Sequence, residues 1–191
     1  MWTFHNGLNT PHKYQSSPYT WLAQVRATSF YWNNGEAVMG CRSGKCASDV
    51  VALGNPLLWW VGIGALLLVI LATFYYRNWH VGVIALGYIA LYVPWLAYAH
   101  RTIFVFYTVA FAPFVALAVA WMIGLLAGWV TIDGSSTPAP ASRRSQITGW
   151  ALTALVTAAI LGCALYFMPL WRGDVIDYDF WRAHMWLQSW I

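Results

Sequence analysis

The stretch Leu57–Tyr76 reads LLWWVGIGALLLVILATFYY, twenty residues without one charge. At about 1.5 Å of rise per residue, a helix of this length covers the roughly 30 Å hydrocarbon core of a bilayer. The run shows no apolar/polar alternation, so it reads as a helix and not as a barrel strand. Asn55-Pro56 stands directly before it, a capping residue followed by proline at the first helical position. Three further runs have the same character. Residues 79–98 carry only His80 at their edge, 102–130 are long enough to tilt, and 149–171 form the last. The spacing predicts four transmembrane helices, 57–76, 79–98, 102–130 and 149–171, with Pro94 and Pro113 kinking two of them. Gly124 and Gly128 make a GxxxG pair, read either as a helix-packing face or as chance in a Gly-rich run.

Composition agrees. Of 191 residues, 60% are hydrophobic and 8% charged, against roughly 25% charged in soluble domains. A soluble enzyme of this size could not hide that much apolar surface. The net charge of +4 comes from scattered basic residues with no stripe, so nucleic acid is excluded as a partner. The 14 Trp suit long membrane–water interfaces. The expected fold is therefore an all-α polytopic membrane protein. Residues 1–55 form a polar and aromatic loop segment with a short helix from Ser17-Pro18 to Val25. Residues 56–171 are the four-helix region, with a flexible loop at 131–148. Residues 172–191 are an aromatic tail. In that tail Asp177 can cap a helix, and Ile176, Phe180, Ala183, Leu187 and Trp190 fall at helical spacing, as in an interfacial helix.

Orientation is contested within the sequence. Four spans put both termini on one side. Seven basic residues lie on that side and three (Arg77, Arg143 and Arg144) on the other, which by simple count makes the termini cytoplasmic. Cys41 and Cys46, with four residues between them in a polar turn, point the other way if they form a disulfide, which requires an oxidising compartment. Two free thiols, or metal binding with His5 and His12, are the alternatives. The metal reading lacks a tight ligand pattern.

Trp2-Thr-Phe-His-Asn-Gly-Leu8, His12, Ser17-Pro-Tyr-Thr-Trp21, Arg26 and Phe30-Tyr31 together resemble the external loop of protein O-mannosyltransferases. Ala52-Leu-Gly-Asn-Pro-Leu-Leu-Trp-Trp60, His100-Arg-Thr-Ile-Phe-Val-Phe-Tyr107, Ala112-Pro-Phe114 and the tail from Tyr178 to Ile191 resemble later parts of the same family, in the same order. The sequence departs from the family at Lys13 (usually Pro), Tyr19 (usually Trp) and Thr108-Val109 (usually His-Tyr).

The resemblance implies the C-terminal part of a GT-C glycosyltransferase in the plasma membrane, both termini external. Such enzymes move mannose from a polyprenyl-phosphate carrier to Ser or Thr of exported proteins. It implies no cofactor beyond that lipid-linked donor and no metal. The family's acidic pair lies in an earlier loop, and Asp49, Asp174, Asp177 and Asp179 do not match it, so no catalytic residue is assigned here and the chain alone is expected to be inactive. Arg101, His100, Tyr107 and His5 are the candidate substrate-binding residues. An Arg at the external end of a span offers a fork suited to phosphate oxygens, or it snorkels to lipid headgroups. Tyr107 either bonds a phosphate or packs. His5 and His12 either contact substrate or order their loop. The competing reading is a non-catalytic four-span scaffold or partner subunit. A small transporter ranks last, because the spans hold almost no ionisable residue.

Overall fold

The computed structural model describes residues 7–35, 38–41, 44–135 and 142–191. The chain divides into two compact units.

The first unit comprises Met1–Pro56, Trp95–Thr108 and Cys163–Ile191. It corrects the all-α expectation, because it contains a three-stranded antiparallel sheet in the order β1-β2-β3. Strand β1 is Thr28–Gly35, β2 is Cys46–Ala52 and β3 is Ile176–Asp177. The sequence around β1, TSFYWNNG, is rich in the Thr and aromatic types that suit a pleated surface. Its alternation is hidden because most of the strand is exposed on both faces. The register breaks between Ser29 and Tyr31, a bulge at Phe30, and then runs evenly from Tyr31 opposite Val50 to Gly35 opposite Cys46. A disulfide joins Cys41 to Cys46 across the β1–β2 connection, with Cα atoms 5.7 Å apart.

The short helix expected from Ser17 is only a 3-10 turn, Pro18–Thr20. The following turn ends at Gln24, whose φ of 53° is left-handed. The tail also differs from an interfacial helix. It forms β3, then a six-residue helix α5, Tyr178–Ala183, then a 3-10 turn, Gln188–Trp190. Its buried residues are Trp181, His184 and Trp190, whereas Phe180, on the expected apolar stripe, is exposed. The indole N–H groups of Trp181 and Trp190 must find acceptors when buried, and they find them on β2 and in the Gln24 turn. That requirement overrides the helical period.

The second unit comprises Leu57–Pro94 and Val109–Gly162. Helix α1 is Pro56–Phe74, α2 is Trp79–Ala97, α3 is Ala112–Ala127 and α4 is Arg143–Arg172. Three of these, α1, α2 and α4, are long and apolar enough to cross a membrane, against the four expected. The third expected span, 102–130, is broken. Residues Val105–Ala110 are 3-10, and Pro113 sits in the first turn of α3 instead of kinking a longer helix. Proline lacks the N–H a continuous helix needs and disfavours helical geometry just before it. Helix α3 is 16 residues, about 24 Å, short of the hydrocarbon core. Helix α4 starts six residues earlier than predicted, at Arg143.

Gly128 adopts φ 74° and ends α3, and the N–H groups of Gly128 and Trp129 return to Leu125 and Gly124. This is a Schellman cap. A side chain at Gly124 would meet Val130, just beyond that cap. The GxxxG pair therefore terminates its own helix and makes no interhelical seam. The close approach lies elsewhere. A Cβ at Gly149 would strike the backbone carbonyl oxygen of Leu126, and one at Gly87 would enter the Phe114 ring. Around them Trp59, Tyr88 and Tyr92 all pack on the fully buried Phe111, with centroids 5.4–6.0 Å away.

Because the neighbour at Gly149 is backbone, which cannot rotate aside, Gly149→Ala is expected to destabilise the protein by about 1–3 kcal/mol. Gly162→Ala, on the same helix with open space around it, is expected to be neutral or slightly stabilising. Thermal unfolding of the two variants in detergent micelles checks the contrast.

Candidate functional site

The residues from His100 to Tyr107 lie in the first unit and are held by an earlier loop. The Thr102 N–H donates to the Leu8 carbonyl at 3.0 Å, and the Ser16 N–H to the Ile103 carbonyl at 2.9 Å. The Thr102 hydroxyl donates to the Thr10 carbonyl at 2.5 Å. The Arg101 N–H closes a turn onto Tyr98. Arg101 is thus fixed at its backbone from both sides. Its guanidinium lies 5.8 Å from the centre of the Tyr98 ring. Its Nε is buried and has no hydrogen-bond partner among the described residues. A buried guanidinium donor left unpaired is costly, so this position is chemically prepared for an acceptor.

Tyr107 lies in the 3-10 turn Val105–Ala110, before α3. Its ring stacks on Trp95 at 4.7 Å and 8°. Both rings border Trp21, which is fully buried. Phe106 contacts Tyr107 at 4.8 Å, stacks on Phe104 and reaches Phe30 of β1. Among the described residues no hydrogen bond joins Arg101 to Tyr107. His100 is exposed in the turn beside Arg101. His5 lies outside the described residues. His12 accepts the Tyr14 N–H on Nδ1, which leaves its ring proton on Nε2, and it meets Phe104 edge-on at 5.2 Å.

Several residues of the quoted motifs serve packing. Arg26 donates to the Lys13 carbonyl through Nε and Nη2, at 3.2 and 2.7 Å. It donates through Nη1 to the carbonyls of Ser189 and Ile191 at 2.5 and 3.0 Å. Its charge is committed to tying the loop to the tail. His184 is fully buried, stacks on Tyr166 at 4.0 Å, and has its two ring nitrogens 2.7 Å from the carbonyls of Phe180 and Tyr166. Neither tie was foreseen from the sequence, because each joins segments more than a hundred residues apart or depends on the fold of the tail.

The acids on this unit are similarly occupied. Asp174 pairs with Arg172 at 3.4 Å on the surface. Asp177 occupies the cap position of α5 without a capping hydrogen bond, and Asp179 lies in its first turn. Asp49 is 6% exposed. It accepts from the Trp181 indole at 3.0 Å and the Ser29 hydroxyl at 2.8 Å. Burial raises its carboxyl above the usual 3.8, and these two hydrogen bonds offset part of that rise. Its two oxygens are already used, which suits structure and not general-base work. Among the described residues no cluster of three His, Cys, Asp or Glu is arranged for a metal.

The chain matches the family model described as the C-terminal four TMM region of protein-O-mannosyltransferase over residues 1–190. It is 28% identical over 191 residues to a polyprenol-phosphate-mannose–protein mannosyltransferase of Mycolicibacterium smegmatis. It is 27% identical over 191 residues to that of Mycobacterium tuberculosis, and 28% over 192 to that of Corynebacterium glutamicum. Each alignment covers 98% of this chain and 35% of the relative, so the chain spans about a third of the length of the curated relatives it matches.

A carboxyl raised by burial takes up a proton on folding between its unfolded and folded values. The stability of the sheet therefore falls as pH rises through that window. Asp49→Asn keeps an acceptor for Trp181 and removes the titration. It is expected to flatten this slope in thermal unfolding measured from pH 4 to 7. Asp49→Ala strands the buried indole N–H and is expected to cost about 1–3 kcal/mol at every pH.

Proposed function

Because the chain belongs to the family of protein-O-mannosyltransferase C-terminal regions, we propose that it is the C-terminal region of a membrane enzyme that transfers mannose from polyprenol-phosphate-mannose to Ser or Thr of exported proteins. The observation that carries this reading is the family match from residue 1 to residue 190. The region supplies the phosphate side of the donor site. Breaking the mannose–phosphate bond leaves negative charge on the lipid phosphate, and fixed cations and N–H donors stabilise that charge as it develops. Arg101 is the group for this role, with its backbone pinned and its Nε unpartnered. His100 extends the polar rim beside it. Tyr107, stacked on Trp95, gives the wall against which the carrier lies. The carboxylate that polarises the acceptor hydroxyl comes from outside this region.

In this reading the 3-10 turn Val105–Ala110 and α3 together make a fourth membrane crossing. The sheet, the disulfide and the tail then lie on the external face of the cell membrane. The disulfide favours that side, since such bonds persist in oxidising compartments. The loop beginning at Thr131, with Arg143 and Arg144 at its far end, is cytoplasmic.

Two outcomes are expected. In intact cells, a membrane-impermeant thiol reagent labels a cysteine placed at the exposed Gln188 and leaves one placed at Ser135 untouched; the reverse pattern removes the external assignment. In the full-length enzyme, Arg101→Ala lowers mannose transfer at limiting donor by about ten- to a hundredfold, the equivalent of a charge-assisted contact of roughly 1.5–3 kcal/mol. Arg101→Lys keeps the charge without the fork and falls between Ala and wild type. Full activity of a normally inserted Arg101→Ala enzyme means that the guanidinium only snorkels.

A further inference from the structure

The sheet of the first unit has one long edge, and among the described residues no strand pairs with it. β1 is the outer strand. Among the described residues, the backbone of Thr28–Gly35 makes no backbone hydrogen bond outside its pairing with β2, and the one side-chain bond to it is the Ser29 hydroxyl donating to the Tyr31 carbonyl at 3.1 Å. In an antiparallel pair every second residue turns its N–H and C=O away from its partner. From Tyr31 to Gly35, past the bulge, the register with β2 is uninterrupted, giving about 17 Å of regular edge. Exposed edges are usually protected by Lys, by Pro or by inward-pointing charge. β1 has none of these; its residues are Thr, Ser, Phe, Tyr, Trp, Asn, Asn and Gly. The opposite edge is β3, only two residues long.

This edge is also rigidly backed. β2 is tied to the β1–β2 connection by the Cys41–Cys46 disulfide and to the tail by the Asp49–Trp181 bond. Trp32 packs on Trp181 at 4.4 Å. A template fixed in advance lowers the ordering cost of a strand that joins it. The edge leads directly to the candidate donor site, because Phe30 contacts Phe106 and Phe106 contacts Tyr107.

We propose that the outer edge of β1 docks the acceptor polypeptide as an added antiparallel or parallel strand, running toward the Phe106–Tyr107 side of the donor site. The occupant is an extended, uncharged segment bearing Ser or Thr. Unpaired strand backbone recognises only another backbone. The exposed aromatic and Asn side chains of β1 offer apolar and hydrogen-bonding contacts, but no charge to select charged partners. Backbone recognition explains how one enzyme could accept many sequences, since the main chain carries the contacts while alternate side chains point away. This proposal rests on the mannosyltransferase reading and specifies how its protein substrate is held.

The test uses the full-length enzyme, reconstituted in liposomes, with an Ala- and Thr-rich peptide that has one Thr. A series of peptides is N-methylated at successive backbone positions, which removes one N–H at a time. Transfer from polyprenol-phosphate-mannose is followed, and in parallel Asn34, exposed on β1, is replaced by a photocrosslinking phenylalanine derivative. The expected result is an alternating profile. Every second N-methyl group raises the acceptor KM by about three- to tenfold, the effect of one lost backbone hydrogen bond, with donor KM unchanged. The peptide crosslinks at position 34, and unlabelled peptide competes. Mannose transfer with a flat N-methyl profile and no crosslink overturns the docking and leaves the function. Crosslinking with no mannose transfer to any peptide overturns the function and leaves the docking. Neither crosslinking nor transfer overturns both.

Discussion

The first unit depends on one constraint: a tryptophan taken out of water must give its single N–H to an acceptor. Trp21 gives it to the Ser16 hydroxyl, Trp171 to the Leu53 carbonyl, Trp181 to the Asp49 carboxylate and Trp190 to the Gln24 carbonyl. Three of these four bonds join segments more than a hundred residues apart in sequence. They are the means by which the tail is held on the loop and the sheet. Arg26 reinforces the same junction by donating to both the loop and the last residues. Since each indole brings a large apolar body as well as a donor, burial and specificity come from the same side chain.

That arrangement reassigns the chemistry of the charged residues. Asp49 and Arg26 are occupied by structure and hold the frame. Arg101 is different, because its backbone is pinned while its guanidinium keeps an unpaired donor. In the proposed donor site it is this fixed but unsatisfied residue that would meet the lipid phosphate. Tyr107 belongs to the aromatic wall with Trp95 and Trp21 and carries shape more than polarity.

The helices of the second unit follow another rule. In a lipid solvent apolar side chains gain little from meeting each other, so close packing of small residues matters more. Gly149 against the Leu126 carbonyl and Gly87 against Phe114 are such contacts. The more conspicuous pair, Gly124 and Gly128, is used to end a helix, because only a residue without Cβ adopts the left-handed cap at no steric cost.

The sequence by itself determined that this is a membrane protein with long apolar helices, because length and hydropathy are local properties set against a bilayer of fixed thickness. It also carried the family, through motifs that recur in order along nearly the whole chain. It marked Arg101, a charge at the edge of an apolar run. It did not reveal the sheet, since β1 is exposed on both faces and its pattern lacks alternation, and β3 exists only because the tail returns to β2. It did not reveal the break after Arg101, where a proline in the first turn of α3 outweighs an unbroken hydropathy signal. The roles of Asp49, Arg26 and His184 were also hidden. Each is decided by which distant carbonyl or indole arrives beside it, and only the tertiary fold brings those partners within hydrogen-bonding distance.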